Sequence, residues 1–296
     1  MSREHAACRS GFGGAKAAAH VGAIEALRER GMVPAHYVGT SMGAVIAACF
    51  ASGLSYRDVL KRITSITRRD VAAFSPRAVL GLFASSLLRA EPLRETIERL
   101  VPARQFDELK CPLTVTAVDA SNGELLALGA GGRSHVPLVD ALYASCALPV
   151  YYPPGQIGDR VCLDGGMRAV LPLELAAGFD PEVLFAVDAG PSLYADTAEN
   201  QATGPALVRV HDRAVRILMA SQAEEAIARC RSGPVPTTSS MAKVAPCLLI
   251  GLTKSRGTGP LRHRAMASSA WDAIRILTAR SCIRTNDRGP RDRSRL

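Results

Sequence analysis

The spacing of apolar and polar positions changes along the chain, and each change marks an element. From Ala17 to Arg30 good helix formers carry Val21, Ile24, Ala26 and Leu27 at helical spacing and close on Gly31, which predicts an α-helix. A short strand near His5 to Arg9 and a glycine-rich turn, Gly11-Phe12-Gly13-Gly14-Ala15-Lys16, precede it, so the chain opens as strand, turn, helix. Ala35 to Val38 reads as a second short strand entering Gly39-Thr40-Ser41-Met42-Gly43, and Ala44 to Ala51 as a buried helix leaving it. Between Ser55 and Leu100 the pattern is helical throughout, with starts at Ser55 with Asp58 and at Ser75-Pro76. Leu113 to Asp119 has the β-branched content of a strand, and Asn122-Gly123 signals a hairpin into Glu124 to Leu128.

Pro137 to Ala147 reads as a helix, and Gln156 to Leu163 as a second hairpin that turns at Gly158-Asp159 and ends in Asp164-Gly165-Gly166. Val183 to Val187 is a short apolar run suited to a buried strand, and Ala206 to Arg231 a long amphipathic helix. Further on, the apolar run Val244 to Leu252 supplies one more candidate strand, and beyond Lys254 only Trp271 to Ala279 shows a helical stripe. No internal repeat is visible.

Composition sharpens this picture. The chain has 296 residues, 48% hydrophobic but only 5% aromatic, so its core rests on Ala, Val, Leu and Ile. Such residues suit helices laid on a mostly parallel sheet, which points to the α/β class. The formal charge of +9 is not spread evenly: from Gly233 onward twelve basic residues face three acidic ones, while residues 1 to 232 hold 24 of each. The body therefore gives no electrostatic reason to bind nucleic acid. On this basis residues 1–232 form one domain, and 233–296 a divergent basic C-terminal extension that is partly disordered, with Asp287 to Leu296 the clearest case. Eight cysteines scattered singly among apolar neighbours suit reduced thiols better than a disulfide framework or a zinc site. No charged-then-apolar segment opens the sequence, and the apolar stretch Val45 to Leu54 is too short to span a bilayer, so a soluble cytoplasmic protein is expected.

Candidate chemistry begins at Gly39-Thr40-Ser41-Met42-Gly43. A serine flanked in this way by Gly39 and Gly43, between an apolar strand and an apolar helix, is the pattern of a nucleophile elbow: the sharp turn lifts the hydroxyl clear of the backbone. Acyl transfer also needs donors aimed at an oxyanion, and backbone N–H groups at the start of a helix supply them. The Gly11 to Lys16 turn sits at such a place. It is not a Walker loop, which needs Ser or Thr where Ala17 stands, and it lacks the third glycine of a dinucleotide fingerprint. The third piece is Asp164-Gly165-Gly166, which by itself reads as a turn.

With these three pieces in this order, the sequence resembles the patatin-like phospholipase family. The resemblance covers roughly residues 8 to 230 and includes Lys16-Ala-Ala-Ala-His-Val-Gly-Ala-Ile, Ala144-Ser-Cys-Ala-Leu-Pro149 and Phe185-Ala-Val-Asp188. It implies a three-layer α/β/α fold and a Ser-Asp dyad without histidine, in which Asp164 takes the proton of Ser41 and an acyl-enzyme forms. Gly13, Gly14 and Ala15 would donate to the oxyanion, Lys16 would hold or polarise that loop, and neither metal nor cofactor is needed. The implied partner is a lipid or small ester, with peripheral contact to a membrane as a further expectation. The apolar segment Val79 to Leu88 reads either as core or as a lid that meets lipid.

Two departures from the family pattern stand out. Phe12 occupies the place of the usual first glycine, with Gly11 just before it, and the basic, Glu-free ending is unlike the family's last strand and helix. The ending is either a divergent extension or the product of a shifted reading frame. Two other readings remain open from sequence: an α/β-hydrolase with a Ser-Asp-His triad drawing on His211 or His263, and a non-catalytic binding protein that has kept the scaffold.

Overall fold

The computed structural model describes residues 14–76, 86–179, 181, 184–190, 206–231, 247–253 and 274–277. The opening follows the expected order: α1 (Gly14–Arg28), β1 (His36–Thr40) and α2 (Met42–Ala51). The strand near His5 to Arg9 lies outside the described residues, as do Phe12, Gly13 and Asp287 to Leu296. Helix α3 (Tyr56–Thr64) starts where Ser55 predicts, the Ser55 hydroxyl accepting the Asp58 N–H at 3.2 Å. A reciprocal capping box between Thr67 and Asp70 opens α4 (Arg68–Val71), and α5 (Ala90–Leu100) follows.

The region between Ser55 and Leu100 is not helical throughout. Phe74 and Leu88 form an antiparallel bridge, Ser75 N–H donates to Leu87 C=O, and Leu87 N–H to Val150 C=O. These two extended pieces satisfy their backbone groups with each other and with the segment after α6, a tertiary pairing that helical periodicity along the chain does not reveal. Residues 77–85, which hold most of the candidate lid, lie outside the described residues.

The remaining elements are β2 (Leu113–Asp119), β3 (Leu125–Gly129), α6 (Leu138–Cys146), β4 (Gly155–Ile157), β5 (Arg160–Asp164), α7 (Leu173–Ala177), β6 (Leu184–Gly190), α8 (Ala206–Arg231), β7 (Cys247–Thr253) and β8 (Ile274–Leu277). Strand β7 arises from the predicted run Val244 to Leu252. The helix expected over Trp271 to Ala279 gives way to β8, where Ile274-Arg275-Ile276 has the period of two that a strand needs.

The eight strands among the described residues form one sheet in the order β4-β5-β2-β1-β7-β6-β8, with β3 paired to β2. It is a mixed sheet, correcting the mostly parallel one expected. Three pairings are parallel (β1 with β2, β1 with β7, β6 with β7) and four are antiparallel. The physical reason lies partly in the two hairpins, whose tight turns at Gly123 and Gly158 impose antiparallel neighbours, both glycines having φ above +60°.

Alternation along the strands sorts the core into two faces. Tyr37 of β1 and Phe185 and Val187 of β6 belong to a cluster with α1, α2, α3, α5 and α6; Val38, Leu184 and Ala186 point the other way, into a cluster with α7 and α8. Helices on both faces make the three-layer α/β/α architecture. Among the described residues no helix is long and apolar enough to cross a membrane. Cys49, Cys111, Cys146 and Cys162 are free thiols as expected, whereas Cys230 on α8 is disulfide-bonded, against that expectation.

Register explains how distant residues meet. Thr114 to Thr116 of β2 pair with both β1 and β3, which therefore lie on opposite edges. Ala117 and Val118 pair with both β3 and β5, so β5 lies on the same edge as β1. Strand β1 ends with Thr40 opposite Thr116, and β5 ends with Asp164 opposite Ala117. The last residue of each strand thus occupies adjoining positions along one edge of β2, although 123 residues separate Ser41 from Asp164.

Candidate active site

A single residue, Ser41, joins β1 to α2, and it holds φ 54°, ψ −135°. That region costs a non-glycine residue on the order of 1–3 kcal/mol and persists only where the surroundings enforce it. A serine at a helix N-cap normally turns its oxygen to the backbone N–H groups two or three residues on. Ser41 makes no such bond. Its hydroxyl instead donates to Asp164 Oδ2 at 2.7 Å. The arrangement forgoes a cap worth about 1 kcal/mol to keep the hydroxyl on the carboxylate.

Gly39 is required by the sharpness of this turn. A Cβ there would lie 2.5 Å from Ala44 Cα, since the first turn of α2 folds straight back over the strand. Gly39→Ala is expected to destabilise the protein by at least about 2 kcal/mol, because the obstacle is backbone and not a movable side chain. Chemical denaturation of the variant beside the native protein checks this. Gly43 lies buried in the first turn of α2.

Asp164 ends β5 and is only 3% exposed. Gly166 N–H donates to its Oδ1 at 2.7 Å, so each carboxylate oxygen holds one donor. The glycines that follow are set by close approach: a Cβ on Gly165 would fall 2.5 Å from Thr116 O, and one on Gly166 3.1 Å from Asp164 Oδ1. Burial pushes the carboxyl up to about 6, outweighing the Ser41 and Gly166 hydrogen bonds that favour the charged form. A carboxylate raised in this way has the basicity to accept a proton near neutrality.

Two further contacts complete the surroundings. Beneath the elbow, Thr40 Oγ1 and Thr116 Oγ1 share a buried hydrogen bond of 2.7 Å. Above it, Ser41 N–H donates to the hydroxyl of Ser145 at 2.8 Å. Cys146, next to Ser145, is also buried, and its thiol is pushed up by burial first and by the Asp164 charge second. It stays protonated beside the serine.

The structure therefore brings Ser41, Asp164, Gly39, Gly43, Gly165 and Gly166 together at one end of the sheet. Gly14, Ala15 and Lys16 form the first residues of α1, the helix start that the glycine turn predicted, while Gly13 lies outside the described residues. Ser41 reaches Asp164 directly, with no histidine between them. His211 stands on α8 with its ring 6.5 Å from that of Tyr151, and His263 lies outside the described residues. Sequence reasoning gave no role to Ser145, although Ala144-Ser-Cys-Ala-Leu-Pro149 was one of the segments carrying the family resemblance. The signal was present as a motif without a chemistry.

A strained one-residue elbow bonded to a buried carboxylate thus stands at one end of a mixed sheet in a three-layer α/β protein. The family model of patatin-like phospholipases matches residues 13–177, and the chain belongs to that family. An uncharacterized NTE family protein of Mycobacterium tuberculosis is 32% identical over 187 residues, covering 62% of this chain and 49% of its own. The omega-hydroxyceramide transacylase of Mus musculus is 32% identical over 158 residues, covering 51% of this chain and 25% of its own. The crystal structure of VipD from Legionella pneumophila aligns with 89% of this chain and 66% of its own at a TM-score of 0.37 and 13% identity. The chain spans about half the length of the mycobacterial relative.

Proposed function

We propose that the protein is a serine acyl hydrolase that cleaves carboxylic esters of lipids through a Ser41-Asp164 dyad. The observation that carries the reading is the 2.7 Å hydrogen bond from a strained, uncapped Ser41 hydroxyl to a carboxylate raised to about 6. Asp164 Oδ2 takes the hydroxyl proton as Ser41 Oγ attacks the ester carbonyl carbon, and the carbonyl electron pair moves onto oxygen. Backbone N–H groups of Gly13, Gly14 and Ala15 receive that oxyanion, a role carried over from the family resemblance, as is that of Lys16 in holding or polarising them. Collapse expels the alcohol, which leaves with the proton from Asp164, and Ser41 keeps the acyl group. Water then attacks the acyl-enzyme, giving its proton to Asp164, and the fatty acid departs as Ser41 recovers its hydrogen.

The catalytic unit in this reading is residues 1–232, and the substrate is a phospholipid, lysophospholipid or neutral ester met at a lipid surface. The relative named omega-hydroxyceramide transacylase supports acyl transfer on lipids as the underlying chemistry. Purified protein tested on a short-chain nitrophenyl ester and on a panel of lipids checks the proposal. Turnover of esters, with one fluorophosphonate adduct per chain mapped to Ser41, is the expected result. Absence of both turnover and adduct would reject it.

The pH dependence follows from the base. Asp164 acts only when ionised, so kcat/KM is expected to fall about tenfold per pH unit below about 6 and to level off above it. A rate profile between pH 4.5 and 8 on an uncharged ester measures this.

A further inference from the structure

We propose that the C-terminal end of α6 is a clamp that sets the distance between Ser41 and Asp164, with Ser145 as its positioning residue. The proposal rests on the reading of those two residues as nucleophile and base. Two hydrogen bonds leave this helix end, one to the backbone of each partner. Ser145 Oγ accepts the Ser41 N–H at 2.8 Å, and Ala147 C=O accepts the Asp164 N–H at 3.0 Å. A short, contiguous stretch of chain thus holds both members of a pair whose strands also adjoin along the edge of β2.

The Ser41 bond has particular work to do. The residue sits at φ 54°, a conformation that relaxes unless it is held. Its own N–H precedes the helix and faces the interior, where Ser145 is 0% exposed and water does not substitute for the hydroxyl. Releasing that N–H frees φ of Ser41 to drift, and any rotation there swings Oγ away from the Asp164 carboxylate.

The clamp is itself braced. Strand β4 packs so closely on α6 that a Cβ on Gly155 would lie 2.7 Å from Ala144 Cα, the residue just before Ser145. One residue earlier, the Tyr143 hydroxyl donates to Pro153 C=O at 2.7 Å. The helix end cannot retreat from the elbow without breaking these contacts. Ser145 touches the backbone of Ser41 and not the reacting atoms, so it acts through position.

The test uses the whole chain, with active sites counted by fluorophosphonate titration and turnover measured on nitrophenyl butyrate. Ser145→Ala removes the acceptor, and Ser145→Thr retains it. The expected result is a fall in kcat per titrated site of roughly ten- to a hundredfold for Ser145→Ala, with KM within about twofold, and recovery of most of the rate in Ser145→Thr. A merely structural role would lower the number of titratable sites and leave kcat per site unchanged. Should Ser145→Ala fail to fold, Ser145→Cys, similar in size and a weaker acceptor, carries the same comparison and is expected to fall between the two. Unchanged kcat per site in a folded Ser145→Ala or Ser145→Cys would overturn the clamp. Native protein that neither titrates nor turns over would instead remove the hydrolase reading beneath it.

Discussion

Ser41→Ala is expected to reduce ester turnover on the order of a millionfold while leaving a folded protein. Loss of a serine nucleophile leaves only whatever binding and oxyanion stabilisation the site gives an attacking water. The Cys146 thiol beside the elbow does not replace it, being held protonated by burial and by the Asp164 charge. The fold survives because the hydroxyl caps nothing, the first turn of α2 bonding instead to the Ser41 carbonyl, which Ala44 N–H reaches at 2.9 Å. The variant should take up no fluorophosphonate, and its thermal midpoint should lie within a few degrees of the native value. Residual turnover near the native rate would mean that another residue attacks the ester.

Asp164→Asn is expected to lower kcat by about a hundred- to ten-thousandfold, the range that a positioned general base contributes. The shape of the site makes this a clean experiment. Gly166 N–H fixes an acceptor at the Oδ1 position, so the amide oxygen of Asn belongs there and its NH2 group turns toward Ser41. A donor then faces the Ser41 hydroxyl where an acceptor stood, and the proton has nowhere to go. Stability should move in the opposite direction. The carboxyl rises from 3.8 to about 6 on folding, so its ionisation destabilises the folded state. The penalty is absent below pH about 4, grows between about 4 and 6, and is complete above about 6, where it reaches about 3 kcal/mol. Asn carries no such penalty. Denaturation at pH 8 should therefore show the inactive variant to be the more stable protein, with the difference vanishing near pH 4.

This inverse relation between stability and chemistry is what a sequence displays most readily. Glycines 39, 165 and 166 stand where a Cβ would strike backbone or a carboxylate, and that local demand leaves a local trace. Both hairpins were legible for the same reason: Gly123 and Gly158 hold φ that few other residues tolerate. Strand direction was not legible in this way. An apolar run such as Leu113 to Asp119 reads the same whether its neighbour runs with it or against it, and the mixed sheet shows only once partners are paired.

Other features were hidden because they are made by contacts far apart in sequence. The extended pieces around Phe74 and Leu88 obtain their hydrogen bonds from each other and from Val150 and Tyr151, so helical spacing between Ser55 and Leu100 misled there. Ser145 lies 104 residues from the N–H it accepts, on a helix whose apolar pattern gives its hydroxyl no distinction. The meeting of Ser41 with Asp164 falls between these cases. Each was marked by its own glycines, but their proximity depends on β1 and β5 sharing one edge of β2, which is a property of the register.

Catalysis by the dyad requires that the carboxylate at 164 draw the proton from the hydroxyl at 41. The rate of fluorophosphonate addition to Ser41, followed from pH 4.5 to 8 in native protein and in Asp164→Asn, measures that transfer without any assumption about the physiological ester. The native rate should climb through a single ionisation near 6 and then level, and the Asn variant should be slow at every pH with no such inflection. Equal rates in the two proteins, or the same inflection in both, would contradict it.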